Sequence, residues 1–151
     1  MVRWIFALIV ALVVGFCVYV VMSNRLPEGL GVVDGQFSSC PISPNCVSTQ
    51  ADPEDATHYV EPIVYRGDRK ETQLQIESLL LTSSNVRIVS SELGYVHFEV
   101  KSKLIGYIDD VEFYLPEADS VVHFRSASRA GYSDLGANRE RFNQINNFLI
   151  R

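Results

Sequence analysis

Residues 4–22 read Trp-Ile-Phe-Ala-Leu-Ile-Val-Ala-Leu-Val-Val-Gly-Phe-Cys-Val-Tyr-Val-Val-Met, without one charge or proline. A run like this has few options. The hydrocarbon core of a bilayer is about 30 Å thick and a helix rises ~1.5 Å per residue, so about 20 apolar residues cross it. No water is available there to satisfy backbone groups, so a lone crossing segment must be helical. A signal-peptide core is shorter and ends at a small-x-small cleavage site. Here the chain continues Val21-Met-Ser-Asn-Arg25. Residues 1–22 are therefore expected to be an uncleaved anchor, with a cleaved secretory signal as the alternative. Cys17 follows Phe16 and lies inside the run, so it does not read as a lipidation site.

Charge sets the orientation. Arg3 precedes the run, Arg25 follows it, and residues 26–65 contain no Lys or Arg. The positive-inside rule favours a cytoplasmic N-terminus and an exported C-terminal part. The expected location is the inner (cytoplasmic) membrane, single-pass, with the C-terminal domain in the periplasm of a bacterial envelope. Cys40-Pro-Ile-Ser-Pro-Asn-Cys46 fits the same compartment. Two thiols either side of a Pro-rich turn can close if their Cα atoms approach within ~6 Å, and a disulfide implies an oxidising surrounding. Two unpaired thiols are the alternative. No second Cys pair is present for a Cys-rich zinc site.

Residues 23–36 carry Pro27, Gly29, Gly31 and Gly35 and read as a linker spacing a domain, residues 37–151, from the bilayer. The domain opens on a Ser-, Pro- and Asn-rich loop holding the Cys pair. A strand is expected over 59–65, weakened by Pro62. Asp68, with Glu71 three residues on, is a helix-capping pattern, and apolar residues over 72–83 follow helically. Strands are then expected at 86–90, 95–100, 109–115 and 121–125, and a final helix begins between Leu135 and Asn138. This order predicts an α+β fold: a mostly antiparallel sheet of about four to five strands with two packed helices.

Several stretches resemble one family. They are Cys40-Pro-Ile-Ser-Pro-Asn-Cys-Val-Ser48, Tyr95-Val-His-Phe-Glu99, Ser102 with Ile108-Asp-Asp-Val-Glu-Phe113, and Arg125-Ser-Ala-Ser-Arg-Ala-Gly-Tyr-Ser-Asp-Leu-Gly-Ala-Asn138 with Arg141. The chain is similar to the bacterial and plastid family catalogued as domain of unknown function 1499. That resemblance implies a membrane-attached protein and no established enzyme activity.

The polar run 125–138 contains too many hydrogen-bonding groups for an ordinary core. It is a self-satisfying knot or a binding site. Along residues 109–115, Asp110 and Glu112 share one face and Asp109 shares the other with Val111 and Phe113. Antiparallel pairing with the next strand would set these acids against Arg125 and Arg129 as charge-assisted pairs. Alternatively, Arg125, Ser126, Ser128 and Arg129 beside a helix start could cup an anion. The candidate ligand-binding set is Arg125, Ser126, Ser128, Arg129, Tyr132, Asp134, Asn138, Arg141, Asp109, Asp110, Glu112 and His97.

No catalytic residue, metal or cofactor is assigned. His97 and His123 lack metal-ligand spacing, and no Gly-x-Ser-x-Gly elbow occurs. The net charge of −5 argues against nucleic acid as a partner. The functional expectation is a non-enzymatic module that binds an envelope protein or a small anionic ligand. The alternatives are a hydrolase-type or metal-dependent enzyme using Asp109, Asp110, Glu112 and His97, and a purely structural envelope protein.

Overall fold

The computed structural model describes residues 2–150. Met1 and Arg151, at the outer limits of the expected anchor and domain, lie outside the described residues. Helix α1, Val2–Ser23, takes up the apolar run, and Val20 is its one described residue to be buried. Its other large apolar side chains are exposed. The helix is long and apolar enough to cross a membrane, a property that anchors and signal sequences share.

The rest is an α+β domain. Its strands are β1, Cys46–Ser48; β2, Ile63–Val64; β3, Val86–Glu92; β4, Tyr95–Lys101; β5, Ile108–Tyr114; and β6, Val121–Ser128. Helix α2, Arg69–Leu81, precedes β3, and α3, Ala137–Leu149, ends the domain. The sheet order is β1-β6-β5-β4-β3 with every pairing antiparallel, and β2 pairs with β6 as well. Since β5 occupies one side of β6, the two short strands share its other side. β2 lies against Val121 and Val122, and β1 against Arg125, Ser126 and Ala127. They cap an edge that would otherwise present unpaired backbone groups.

Six strands form where about four to five were expected. The extra one is β1, inside the segment read as a stapled loop. The Cys40–Cys46 disulfide, with Cα atoms 5.7 Å apart, ties that loop to the first residue of the strand. The expected 59–65 strand contracts to β2, because Pro62 has no N–H to donate. β6 runs three residues past its expected end, so the first part of the polar run is strand rather than loop.

Both helices lie on one sheet face. Ile76 and Leu80 of α2 and Phe142 and Ile145 of α3 join Val96, Phe98, Val111, Phe113, Val122 and Phe124 in a single buried cluster. Edge-on and tilted ring contacts step across it, from Phe98 to Phe113 (5.9 Å), to Phe124 (5.2 Å), to Phe142 (5.4 Å). Such pairs add about 0.5–1.5 kcal/mol each beyond burial. Asp68 caps α2 as its sequence predicted, accepting from the Glu71 N–H at 3.0 Å. Leu93 and Gly94 turn β3 into β4. Gly94 has φ +95°, and a Cβ there would overlap the Arg69 guanidinium, so the turn requires glycine.

Candidate functional site

The sheet face away from the helices carries charge. The two-residue period of a strand puts Tyr95, His97 and Glu99 of β4 on it. The register sets His97 opposite Glu112, Glu99 opposite Asp110, and Glu112 opposite Arg125. Asp110 and Glu112 are each 1 % exposed. Burying an ionised carboxylate is costly unless it is paired and hydrogen-bonded, and here each is both.

Arg129 is the hub. Its Nε donates to Asp110 Oδ2 at 2.7 Å, and its Nη2 donates to Asp110 Oδ1 at 2.6 Å, a bidentate fork. The same Nη2 reaches Glu99 Oε1 at 2.5 Å. Arg87 Nε donates to the other Glu99 oxygen at 2.7 Å. His97 Nε2 lies 2.8 Å from Asp110 Oδ1. An ionised carboxylate only accepts, so that nitrogen carries a proton. Burial pushes the Asp110 carboxyl up, but the hydrogen bonds from Arg129 and His97 outweigh it and hold the group below the usual carboxylate range. Burial likewise opposes the Arg129 charge, and the bonds to Asp110 and Glu99 overcome that and raise it.

A second pair adjoins the first. Arg125 Nη1 donates to Glu112 Oε2 at 2.9 Å. Glu112 Oε1 accepts from Tyr95 OH at 2.9 Å and from the Gly31 N–H at 2.7 Å. Burial, then the Glu112 charge, raise the Tyr95 phenol well above its ordinary value, so it stays a donor. Among the described residues, Arg125 Nε is the one buried side-chain nitrogen or oxygen without a partner.

The linker closes this face. Besides the Gly31 contact, Arg129 Nη1 donates to the Asn24 carbonyl at 2.8 Å. Asn24 in turn donates from Nδ2 to Gly106 O and accepts at Oδ1 from Ile108 N, at 2.7 and 3.0 Å. Gln50 holds the far end, donating to Gly35 O at 2.8 Å and accepting from Phe37 N at 2.8 Å. Residues 24–37 thus lie on the sheet instead of holding it away from α1. Gly31 has φ +103°, a conformation in which a side chain is strained.

A separate polar layer sits on the helix side. Asp109 Oδ2 accepts from Arg141 Nη2 at 2.7 Å, and Asp109 Oδ1 accepts from the Ser128 hydroxyl at 2.6 Å. Asn138, 1 % exposed, accepts from Ser126 Oγ and Arg141 Nη1, both at 2.5 Å, and donates to Asn45 O at 2.9 Å. Asp134 starts α3, accepting from the Asn138 N–H at 2.7 Å and the Gly136 N–H at 3.1 Å.

The candidate residues thus divide in two. His97, Asp110, Glu112, Arg125 and Arg129 meet on the sheet face away from the helices. Asp109, Ser126, Ser128, Asn138 and Arg141 meet behind it, with Asp134 at the helix start. Tyr132 is exposed and joins neither. Asp109 was expected among the partners of Arg125 and Arg129; it points to the opposite face and pairs with Arg141. The set Asp109, Asp110, Glu112 and His97 therefore does not converge. Among the described residues, no group of three or more His, Cys, Asp or Glu is arranged to hold a metal ion.

Several residues of these networks were not anticipated as site residues, among them Glu99, Tyr95, Arg87, Asn45 and Asn24. Glu99 and Tyr95 share the His97 face, so alternation along β4 could have nominated them. Asn45 and Asn24 had no local signal, because their partners lie far along the chain.

Elsewhere, His123 stacks on Tyr114 at 6.1 Å and lies 3.2 Å from the Thr49 hydroxyl. Burial pushes its pKa down, opposed by the Asp119 charge. A groove of about 550 Å³ is lined by residues including Phe37, Cys40, Ile42, Gln50, Asp52 and His58. His58 Nδ1 sits 2.6 Å from Asp55 Oδ2 and its Nε2 sits 3.2 Å from Ser43 O, so both ring nitrogens are engaged.

Chemically, the linker-covered face is a balanced ionic lattice. Its carboxylates already hold guanidinium, imidazole, phenol or backbone donors, and a catalytic acid or base needs a free position toward a substrate. A family model described as "Protein of unknown function (DUF1499)" matches residues 36–149. No curated protein and no solved structure matches the chain. The match takes in the disulfide loop and all of both polar networks except the linker contacts of Asn24 and Gly31, and on that extent the chain belongs to the DUF1499 family.

Proposed function

We propose that this chain is a single-pass protein of the bacterial inner membrane whose periplasmic domain is a non-enzymatic module, working by presenting a surface rather than by turning over a substrate. The observation that carries this reading is the closure of the charged face. Asp110, Glu112 and Glu99 are satisfied by Arg129, Arg125, Arg87, His97 and Tyr95, and the linker backbone adds the Gly31 N–H to Glu112 and the Asn24 carbonyl to Arg129. An anion entering at Arg129 would have to displace a bonded carboxylate, and the unpartnered Arg125 Nε is itself buried. This supports an architectural role for the motif 125–141, fixing the sheet to α3 on one side and to the anchor on the other. It leaves partner contact to the outer surface, where the groove beside the disulfide loop is accessible.

The α1 helix and the disulfide support the location, since the bridge needs an oxidising compartment.

The test compares the native chain with Asp110→Asn on ester and phosphoester substrates, alongside thermal unfolding. The expected result is no turnover by either protein and a lower unfolding temperature for the variant. Turnover by the native chain that disappears in Asp110→Asn without loss of thermal stability would overturn the reading.

A further inference from the structure

We propose that the sheet end nearest α1 is a membrane-contacting surface, with Leu104 at the tip of the β4–β5 loop seated in the lipid headgroup layer. The position follows from Asn24. The apolar run ends at Met22 and α1 at Ser23. The next residue holds the β4–β5 loop directly, through Gly106 O and Ile108 N. A bilayer has about 30 Å of hydrocarbon within ~40–45 Å including headgroups, so the headgroup layer is ~5–7 Å deep on each side. A loop one side-chain hydrogen bond from Asn24 falls within it. Val20, a turn inside the helix, is buried while the rest of α1 is not, so the domain reaches the last turn and the helix then departs from it.

The loop is built to keep Leu104 outward. Ser102 closes it, its N–H donating to Tyr107 O at 2.7 Å and its hydroxyl accepting from Gly106 N and Tyr107 N at 3.1 and 2.9 Å. Leu104 is left 97 % exposed. Lys101, Lys103 and Arg25 flank it, all exposed, and basic side chains at a membrane surface attract anionic headgroups. A single exposed leucine is ordinary on a protein surface; this one differs by where its loop is tied. The neighbouring loop after β6 leaves the same sheet end, is bonded to Ile108 O through Arg129 N at 2.9 Å, and carries Leu135, 96 % exposed. Leu93, at the β3–β4 turn, lies at the other end of β4, about 20 Å away at ~3.3 Å per residue.

This proposal rests on α1 being retained in the bilayer, and the chain has one tryptophan, Trp4, to report that separately. The full chain is reconstituted into phosphatidylcholine–phosphatidylglycerol vesicles with and without brominated acyl chains. Three variants in a Trp4→Phe background carry Leu104→Trp, Leu135→Trp or Leu93→Trp. The expected result is blue-shifted, bromine-quenched emission at 104, weaker quenching at 135, and water-like, unquenched emission at 93. Water-like emission at 104 with Trp4 of the native chain quenched overturns the proposal but not the anchor. Loss of quenching at Trp4 overturns both. Equal quenching at 93 and 104 overturns the assignment of this end as the contact surface.

Discussion

Arg129 reaches across β5 to Glu99 on β4, placing its Nη2 2.5 Å from Oε1 while the same guanidinium grips Asp110 on the intervening strand. One side chain therefore joins three strands and, through Nη1, the linker.

Replacing Arg129 with Ala takes the guanidinium from two buried carboxylates at once, leaving Asp110 only His97 and Glu99 only Arg87. Breaking a buried pair by removing one partner costs about 3–5 kcal/mol, and Arg129→Ala is expected at the upper end. Arg125→Ala is expected to cost less, about 2 kcal/mol, because Glu112 keeps the Tyr95 hydroxyl and the Gly31 N–H. Arg129→Lys restores charge without the fork and should recover only part of the loss. Urea titration of the three variants in one detergent gives the ranking, and equal losses would contradict it.

Acid should unfold the domain in two stages. His123 has a lowered folded pKa, so the unfolded chain takes up a proton first and stability begins to fall below about pH 6.5. Asp110 is held low. Its contribution is complete above its unfolded value of about 3.9 and is lost as pH falls through the lower folded value. His123→Gln should flatten the upper stage, and Asp110→Asn the lower one. Stability measured by denaturant between neutral and acid pH separates them.

The Cys40–Cys46 bridge closes a short loop, for which the chain-entropy account gives about 2 kcal/mol. Cys40→Ser should destabilise the domain by that amount and loosen β1 against β6. Alkylation of the unfolded, unreduced protein should modify Cys17 alone, the free cysteine; mass spectrometry showing label at Cys40 or Cys46 would refute the bridge in solution.

Asn24→Ala removes two side-chain hydrogen bonds that hold the domain to the helix end. At about 1 kcal/mol each, docking should weaken by ~2 kcal/mol, up to about a thirtyfold change in the docked population. Time-resolved anisotropy of a probe on the domain, in vesicles, should show faster motion for the variant while its unfolding temperature changes little. Unchanged motion would mean the linker is held by Gly31 and Gln50 without Asn24.

Much of this was legible in advance. The α1 helix followed from an unbroken apolar run, β4 and β5 from alternation, α2 from its cap, and the small loop from two cysteines. The Glu112–Arg125 pair was visible because a short turn made β5 and β6 neighbours. The strand β1 was not legible, since Cys-Val-Ser inside a Pro- and Asn-rich stretch carries no period, and its pairing depends on an edge supplied by β6 about eighty residues later. The division of Asp109 from Asp110 was legible, but its consequence was not, because Arg141 comes from a helix whose placement depends on the packed core.

Local chemistry alone determined both helices of the domain, the central strands and the apolar N-terminal helix, because these follow from periodicity, capping and the cost of unsatisfied backbone groups. Only the tertiary structure decided that Arg129 reaches Glu99, that Asp109 meets Arg141, and that residues 24–37 fold back to complete the charged face. Those contacts join positions up to 105 residues apart, and a distance of that kind in sequence is set by the assembled sheet rather than by any neighbour in the chain.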